Sequence, residues 1–248
     1  MSATAPDGAK RRRVSATTTI TTVQQRGLTL ELDDPPSSSC EVAPEDHGKD
    51  GTGIGQIWQG ATDLLCDWLE AHSQWVLQQG RSLELGAGVG LAGLLVAKLG
   101  GEATLTDHHP KVLSRLRANV ALNGLEQRAS VQLLDWSVPA SDPPRRRLVF
   151  GADLAFAQRS AAQCAERARE LLCDEGVFLY AHQERRAIFM GADGQVQREA
   201  SDSGLDALLA AAAPLECRRL RERELPDQGE RVVLLALGME AALDAVPR

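Results

Sequence analysis

From Ile57 onward the sequence predicts an α/β fold, with a mainly parallel sheet covered by helices on both faces. Three observations carry that expectation. Apolar stretches of strand length alternate with segments of helical period. One strand runs directly into a turn of alternate glycines. Acidic residues then stand just after successive strands, where such sheets bind their ligands.

Ile57, Trp58, Ala61, Leu64, Leu65, Trp68 and Leu69 recur at helical spacing across Ile57–Glu70. Arg81–Leu85 reads as a short strand ending in the glycine turn, and Leu91–Leu99 as an apolar helix. Ala103–Thr106 is the next strand, and Pro110–Leu122 a helix with proline in its first turn. Val131–Leu134 and Leu148–Gly151 are apolar strands, Ser160–Leu172 a helix and Val177–Ala181 a strand. Leu205–Ala213 is helical, and Leu215–Leu220 with Arg231–Leu237 form a closing strand pair. No internal repeat is visible.

Residues 1–50 differ in kind. A Thr/Ser-rich run, the stretch Asp33-Asp34-Pro35-Pro36-Ser37-Ser38-Ser39 and mixed charge leave little apolar surface to offset ordering entropy. This segment is expected to be largely disordered or weakly ordered, with one or two edge strands within Ile20–Leu32; residues 51–248 are the folded domain. Lys10-Arg11-Arg12-Arg13 has the composition of a nuclear-import or polyanion patch.

Composition narrows the function classes. Of the 248 residues 43% are hydrophobic, enough for a sizeable core, but only 4% are aromatic, so aliphatic side chains must fill it. A net charge of −7 argues against a protein that coats nucleic acid. No apolar run approaches the roughly 20 residues that cross a bilayer, and Met1–Lys10 lacks the apolar stretch of a secretory signal. Five scattered cysteines without a CxxC pair fit reduced thiols in an intracellular setting better than a disulfide framework or a zinc site. His108 and His109 have no partners at metal spacing.

The most informative stretch is Leu83-Glu84-Leu85-Gly86-Ala87-Gly88-Val89-Gly90-Leu91. Glycines there permit tight backbone angles and let a ligand touch the main chain, while the following helix offers unpaired N–H groups. The turn alone does not name the ligand, because Gly88-Val89-Gly90-Leu91-Ala92-Gly93 also fits the dinucleotide fingerprint. Glu84 would repel a pyrophosphate but suits the ammonium end of a methionine-type ligand. Asp107, after Thr106, can accept hydrogen bonds from both hydroxyls of a ribose, a feature shared with NAD sites.

Together, Leu83–Leu99, Thr106-Asp107 and Asn119 through Asn123 resemble the S-adenosylmethionine site of class I, seven-β-strand methyltransferases. More narrowly the chain is similar to the methyltransferase-16 family of protein-lysine methyltransferases, whose members act on chaperones, elongation factors and calmodulin. Four matches in order carry this: Ile57-Trp58-Gln59-Gly60-Ala61, the Thr-Asp strand ending with its asparagine-bearing helix, Leu134-Asp135-Trp136, and Gly151-Ala152-Asp153-Leu154-Ala155-Phe156. The resemblance spans roughly Gly55–Leu237 and implies a Rossmann-like seven-stranded sandwich with an antiparallel C-terminal pair.

The resemblance places Trp58, Gly86, Ala87, Gly88, Asp107, Trp136 and Ala152 around S-adenosyl-L-methionine, which leaves as S-adenosyl-L-homocysteine, and Glu84 joins them on its charge and position. Trp136 would pack near the adenine and Trp58 would close over the methionine half, whereas Trp68 and Trp75 read as core. Asp153 and Phe156 are the catalytic candidates: a carboxylate to orient a lysine ammonium and assist its deprotonation, and a ring to line the channel. The family has Asp-x-x-Tyr here; phenylalanine keeps the ring and loses the hydroxyl. Glu184, in the polar loop 182–186, is a candidate attractor for a basic target.

The implied activity is methylation of a lysine on a protein substrate, by a monomer that needs no metal, membrane or nucleic acid. It would act in the cytoplasm and, through Lys10–Arg13, in the nucleus. Methylation of protein arginine or histidine, or of a small molecule, is the alternative. A catalytically silent S-adenosylmethionine-binding module is a second, and a dehydrogenase the third.

Overall fold

The alternation of strands and helices builds a seven-stranded sheet. The computed structural model describes residues 20–33, 59–138, 144–155, 157–186, 188–191, 194–225 and 230–248. In chain order a hairpin, β1 (Ile20–Gln25) and β2 (Leu28–Asp33), precedes helices α1 (Gln59–Ala71) and α2 (Ser73–Gln78). Strand β3 (Arg81–Glu84), α3 (Leu91–Lys98), β4 (Glu102–Asp107), α4 (Pro110–Leu122) and β5 (Ala129–Leu133) form the first alternating half. β6 (Arg146–Ala152), α5 (Gln158–Leu171), β7 (Leu172–Gln183) and a small hairpin, β8 (Ile188–Met190) with β9 (Val196–Arg198), continue the chain. It closes with α6 (Ser203–Ala212), β10 (Glu216–Leu225), β11 (Glu230–Gly238) and α7 (Glu240–Asp244).

The sheet order is β10-β11-β7-β6-β3-β4-β5. Strands β3 to β7 pair in parallel, and β11 runs antiparallel between β7 and β10. The chain steps outward from β3 through β4 to β5, then returns to the other side of β3 with β6. The carboxyl ends of β3 and β6 therefore meet at the switch in strand order, where a crevice for ligands opens.

Central strands are apolar on both faces, and their period of two sorts side chains between two cores. On β7, Val177, Leu179 and Ala181 join the core under α1, α3, α4 and α7, while Phe178 and Tyr180 join the core under α5 and α6. On β11, Val232, Leu234 and Ala236 face the first layer, and Val233, Leu235 and Leu237 the second. Trp68 is buried in the first core, with Trp75 partly buried against it.

The N-terminal strands correct one expectation. Residues 20–33 pair only with each other and are not edge strands of the sheet. Leu28 and Leu30 are buried in the main core, each worth roughly 1.5–3 kcal/mol of removed apolar surface. Partners of the hairpin's backbone include a side chain of α4 and that of Asn123, which caps its end. Asn123 Oδ1 accepts the Thr29 N–H at 2.8 Å, and Asn119 Oδ1 accepts the Glu31 N–H at 2.8 Å. Arg26 adds ion pairs to Asp67 at 2.7 Å and Glu70 at 2.5 Å on α1. The asparagines that resembled cofactor-site residues thus anchor the hairpin, and Asn119 Nδ2 also donates to the Val89 carbonyl at 2.9 Å. Lys10–Arg13 lies outside the described residues.

Candidate cofactor and acceptor site

Three glycines shape the turn after β3, each for its own reason. Gly86, Gly88 and Gly90 have φ of 57°, 55° and 88°, the left-handed region that costs a residue with a Cβ roughly 1 kcal/mol. At Gly90, which caps α3, a Cβ would also lie 2.7 Å from Leu116 Cδ2 and 2.8 Å from Leu105 Cδ2. At Gly86 it would lie 2.6 Å from Leu154 Cδ2 and 3.3 Å from Trp136 Cζ2. At Gly88 no atom stands within 4 Å. Gly90 therefore serves packing, whereas the open space over Gly88 lets a ligand reach the main chain.

Backbone and side-chain bonds hold the turn between its neighbouring strands. Leu85 N–H donates to the Phe150 carbonyl at 2.9 Å, and half-buried Ala87 donates to that of Thr106 at 2.8 Å. The Thr106 hydroxyl donates to the Glu84 carbonyl at 2.6 Å. Asp107 Oδ2 accepts the Gly88 N–H at 3.3 Å, and Oδ1 accepts that of His109 at 3.0 Å. Asp107 does not cap α4; His109 occupies that position. Its carboxylate stands at the mouth of the turn, 11% exposed.

Glu84 is held by the helix that follows the turn. Its Oε2 accepts the Gly93 N–H of α3 at 3.0 Å, and the residue is 5% exposed. Burial pushes its pKa up to about 8, opposed by the Gly93 bond and reinforced by Asp107. One carboxyl oxygen thus pins the first turn of α3. Gly93 must be glycine for the same reason, because its Cβ would lie 2.4 Å from that oxygen.

Trp136 is half-buried with Leu134 against the second core, its ring beside Gly86. Ala152, half-buried, ends β6 opposite Ala181 of β7. Gly86, Ala87, Gly88, Asp107, Trp136 and Ala152 therefore gather at the carboxyl ends of β3, β4, β5 and β6. Trp58 and Phe156 lie outside the described residues. Among the described residues no three metal-ligating side chains come together.

Asp153 follows β6 directly. It is 2% exposed, its φ is 56°, and its N–H donates to the Ala181 carbonyl at 2.8 Å. Both of its oxygens are occupied by Arg185, with Nη1–Oδ1 at 2.6 Å and Nη2–Oδ2 at 2.5 Å. The carboxylate expected from the sequence to orient an ammonium group is thus bound twice to a guanidinium here. Arg185 is the residue that sequence reading missed; only its place in a polar loop after a strand pointed to it. Glu184 of that loop is likewise engaged, with Arg231 at 2.8 and 3.0 Å, and does not stand free to attract a basic target.

The model of a family described as lysine methyltransferase matches residues 39–191, more than half of the chain. The chain belongs to this lysine methyltransferase family. The family segment contains the glycine turn, Asp107, Trp136, Asp153 and Arg185, and ends within the loop after β8.

Curated relatives are more narrowly named. The chain is 30% identical over 132 residues to Protein N-lysine methyltransferase METTL21A of Xenopus tropicalis, covering 52% of this chain and 60% of that one. It is 34% identical over 133 residues to EEF1A lysine methyltransferase 3 of Mus musculus, covering 52% and 56%. The chain thus spans little more than half the length of these relatives.

Solved structures share the fold. The glycopeptide N-methyltransferase MtfA complexed with S-adenosyl-L-methionine matches with a TM-score of 0.51 and 18% identity, covering 73% of this chain and 87% of that one. The CcbJ methyltransferase from Streptomyces caelestis matches at 0.51 and 16%, covering 72% and 91%. At such identities the likeness speaks to the fold alone.

Proposed function

We propose that the protein transfers a methyl group from S-adenosyl-L-methionine to a lysine side chain of another protein. The observation that carries this reading is the left-handed glycine turn, open over Gly88 and flanked by Asp107 and Trp136, inside the segment that matches the lysine methyltransferase family. The names of the curated relatives supply the lysine and the protein substrate.

The residues fit an adenosine-bearing cofactor. A Cβ at Gly88 would fill the open space, and Asp107 is placed to exchange its weak 3.3 Å bond to Gly88 for the hydroxyls of a ribose. Trp136 offers a flat apolar surface on the same side as Gly86. When bound, the cofactor's sulfonium supplies an electrophilic methyl group, so the protein's task is to position a neutral amine in line with it.

Asp153 anchors the incoming ammonium group by accepting it in place of one prong of Arg185. With the guanidinium kept on its other oxygen, the carboxylate orients the amine more readily than it takes up its proton. We assign the protein to the cytoplasm, acting as a monomer; the described cysteines, all free thiols, suit that compartment.

A second reading rests on the same ion pair. If Arg185 never yields Asp153, the domain binds S-adenosylmethionine without turning it over. The experiment is transfer from tritiated S-adenosylmethionine into clarified lysate protein, followed by acid hydrolysis and identification of the labelled amino acid. Methyl-lysine supports the proposal, methylarginine or methylhistidine shifts the acceptor, and cofactor binding without label supports the silent module.

A further inference from the structure

Behind the acceptor loop three buried side chains form a continuous hydrogen-bonded chain. Tyr180 and His182 are alternate residues of β7, so they share a face, and both are 0% exposed. The Tyr180 hydroxyl oxygen accepts the N–H of Leu154 at 3.2 Å and that of Ala155 at 3.1 Å. Those two bonds use both lone pairs, so the hydroxyl proton is donated to His182 Nδ1, 2.9 Å away. The imidazole proton therefore sits on Nε2 and is donated to Asp202 Oδ2 at 2.9 Å.

Asp202 is itself fixed from two sides. Its Oδ1 accepts the N–H groups of Gly204 and Leu205, both at 3.0 Å, as the N-cap of α6. Its Oδ2 also accepts the Arg185 N–H at 2.5 Å. Burial raises the Asp202 pKa, but the bonds from His182, Arg185 and Leu205 outweigh it and hold the carboxylate at about 2. The Arg185 guanidinium then returns to Asp153. The ring of bonds closes on the loop from which it starts, residues 153–155, and its donor directions have one assignment throughout.

We propose that Tyr180, His182 and Asp202 are a positioning chain that locks the Asp153–Ala155 turn and places the Asp153 carboxylate for its acceptor. Asp153 holds a left-handed φ without being glycine, and paired N–H bonds to one oxygen are what keep such a turn in place against strain. Asp202 joins that turn to the loop carrying Arg185, so a change at Asp202 is transmitted to Asp153 although the two carboxylates do not touch. The inference rests on the methyl-transfer reading for its consequence, and on geometry alone for the chain.

Asp202→Asn tests it. Each carboxylate oxygen serves two donors, so an amide must fail one pair. With its oxygen kept on the α6 cap it presents N–H to His182, which reverses the imidazole and sets a third donor against the Tyr180 oxygen, whose two lone pairs are already taken. In the full-length chain, Leu154 and Ala155 amides are expected to exchange at least about tenfold faster in Asp202→Asn and in Tyr180→Phe, with Leu83 unchanged. The imidazole ¹⁵N spectrum of wild type should show His182 with an unprotonated Nδ1.

Initial rates of tritiated methyl transfer into lysate protein at saturating S-adenosylmethionine should fall about tenfold in both variants, because displaced reacting groups lose rate steeply. The KM for S-adenosylmethionine should move less than about twofold, unlike a general loss of folding. Unchanged exchange at Leu154 and Ala155 overturns the chain, and faster exchange with full rate overturns its positioning role. A wild type that exchanges as expected but transfers no methyl group overturns the methyltransferase reading and leaves the chain standing.

Discussion

Asp153 and Arg185 form a two-pronged ion pair, 2.6 and 2.5 Å, between the loop after β6 and the loop after β7. The carboxylate is buried, and the arginine side chain is 34% exposed. Two adjacent crossover loops are thereby joined at the mouth of the crevice. Removing the arginine strands a buried negative charge. Arg185→Ala is expected to cost about 1–3 kcal/mol in denaturant unfolding, less than for a fully buried pair because water reaches the guanidinium. Arg185→Lys should recover part of it, since an ammonium keeps the charge but not both prongs. Wild-type stability in Arg185→Ala would mean that the pair is not formed in solution.

Asp107 is the residue on which cofactor affinity should depend most sharply. Asp107→Ala removes charge-assisted acceptors for a ribose and also releases the Gly88 and His109 N–H groups. The dissociation constant for S-adenosylmethionine, measured by calorimetry, should rise at least about tenfold, taking roughly 1.5–3 kcal/mol for bonds to a charged group. Unchanged affinity would remove Asp107 from the cofactor site.

Gly88 and Gly90 separate binding from folding. Both have positive φ, but a Cβ at Gly90 runs into Leu116 and Leu105, whereas one at Gly88 meets nothing. Gly90→Ala should therefore lower the melting temperature by several degrees, through strain and overpacking of about 2–4 kcal/mol. Gly88→Ala should cost about 1 kcal/mol of stability and weaken S-adenosylmethionine binding disproportionately. Equal effects of the two substitutions on melting would contradict the assignment of open space to a ligand.

Glu84 sets a pH dependence. Its carboxyl is pushed from an ordinary 4.5 up to about 8, so the folded chain keeps a proton that the unfolded chain releases. The associated stability is full below about 4.5 and is lost as the pH rises toward about 8. Glu84→Gln keeps an acceptor for the Gly93 N–H and carries no charge. It should flatten unfolding free energy against pH across that window and stabilise the protein at pH 8 by on the order of a few kcal/mol. An unaltered slope would show that Glu84 is ionised when buried.

Much of this was legible in the residues. The helix Pro110–Leu122 and the strands around the glycine turn follow from periodicity, proline and glycine, because these segments are apolar enough to sit in one layer or the other. The gathering of Gly86, Gly88, Asp107 and Trp136 follows from the rule that ligands lie beyond the carboxyl ends of parallel strands. What was not legible depends on partners distant in sequence. The bond from the Gly93 N–H to Glu84, and the burial that goes with it, do not show in the sequence. That Arg185, 32 residues away, is brought opposite Asp153 is not visible in the local pattern around either residue. The hairpin at residues 20–33 looks like sheet edge because nothing in its own pattern says that Asn119 of α4 and Asn123 at its end replace a neighbouring strand.

Methyl transfer from radiolabelled S-adenosylmethionine into a cell lysate, resolved by protein size, tests the central claim most directly. Wild type should label a discrete protein band whose label is recovered as methyl-lysine. Asp107→Ala and Asp153→Asn should lose the band while remaining folded. Tight cofactor binding with no labelled protein from wild type would contradict the claim and leave a domain that holds S-adenosylmethionine without passing on its methyl group.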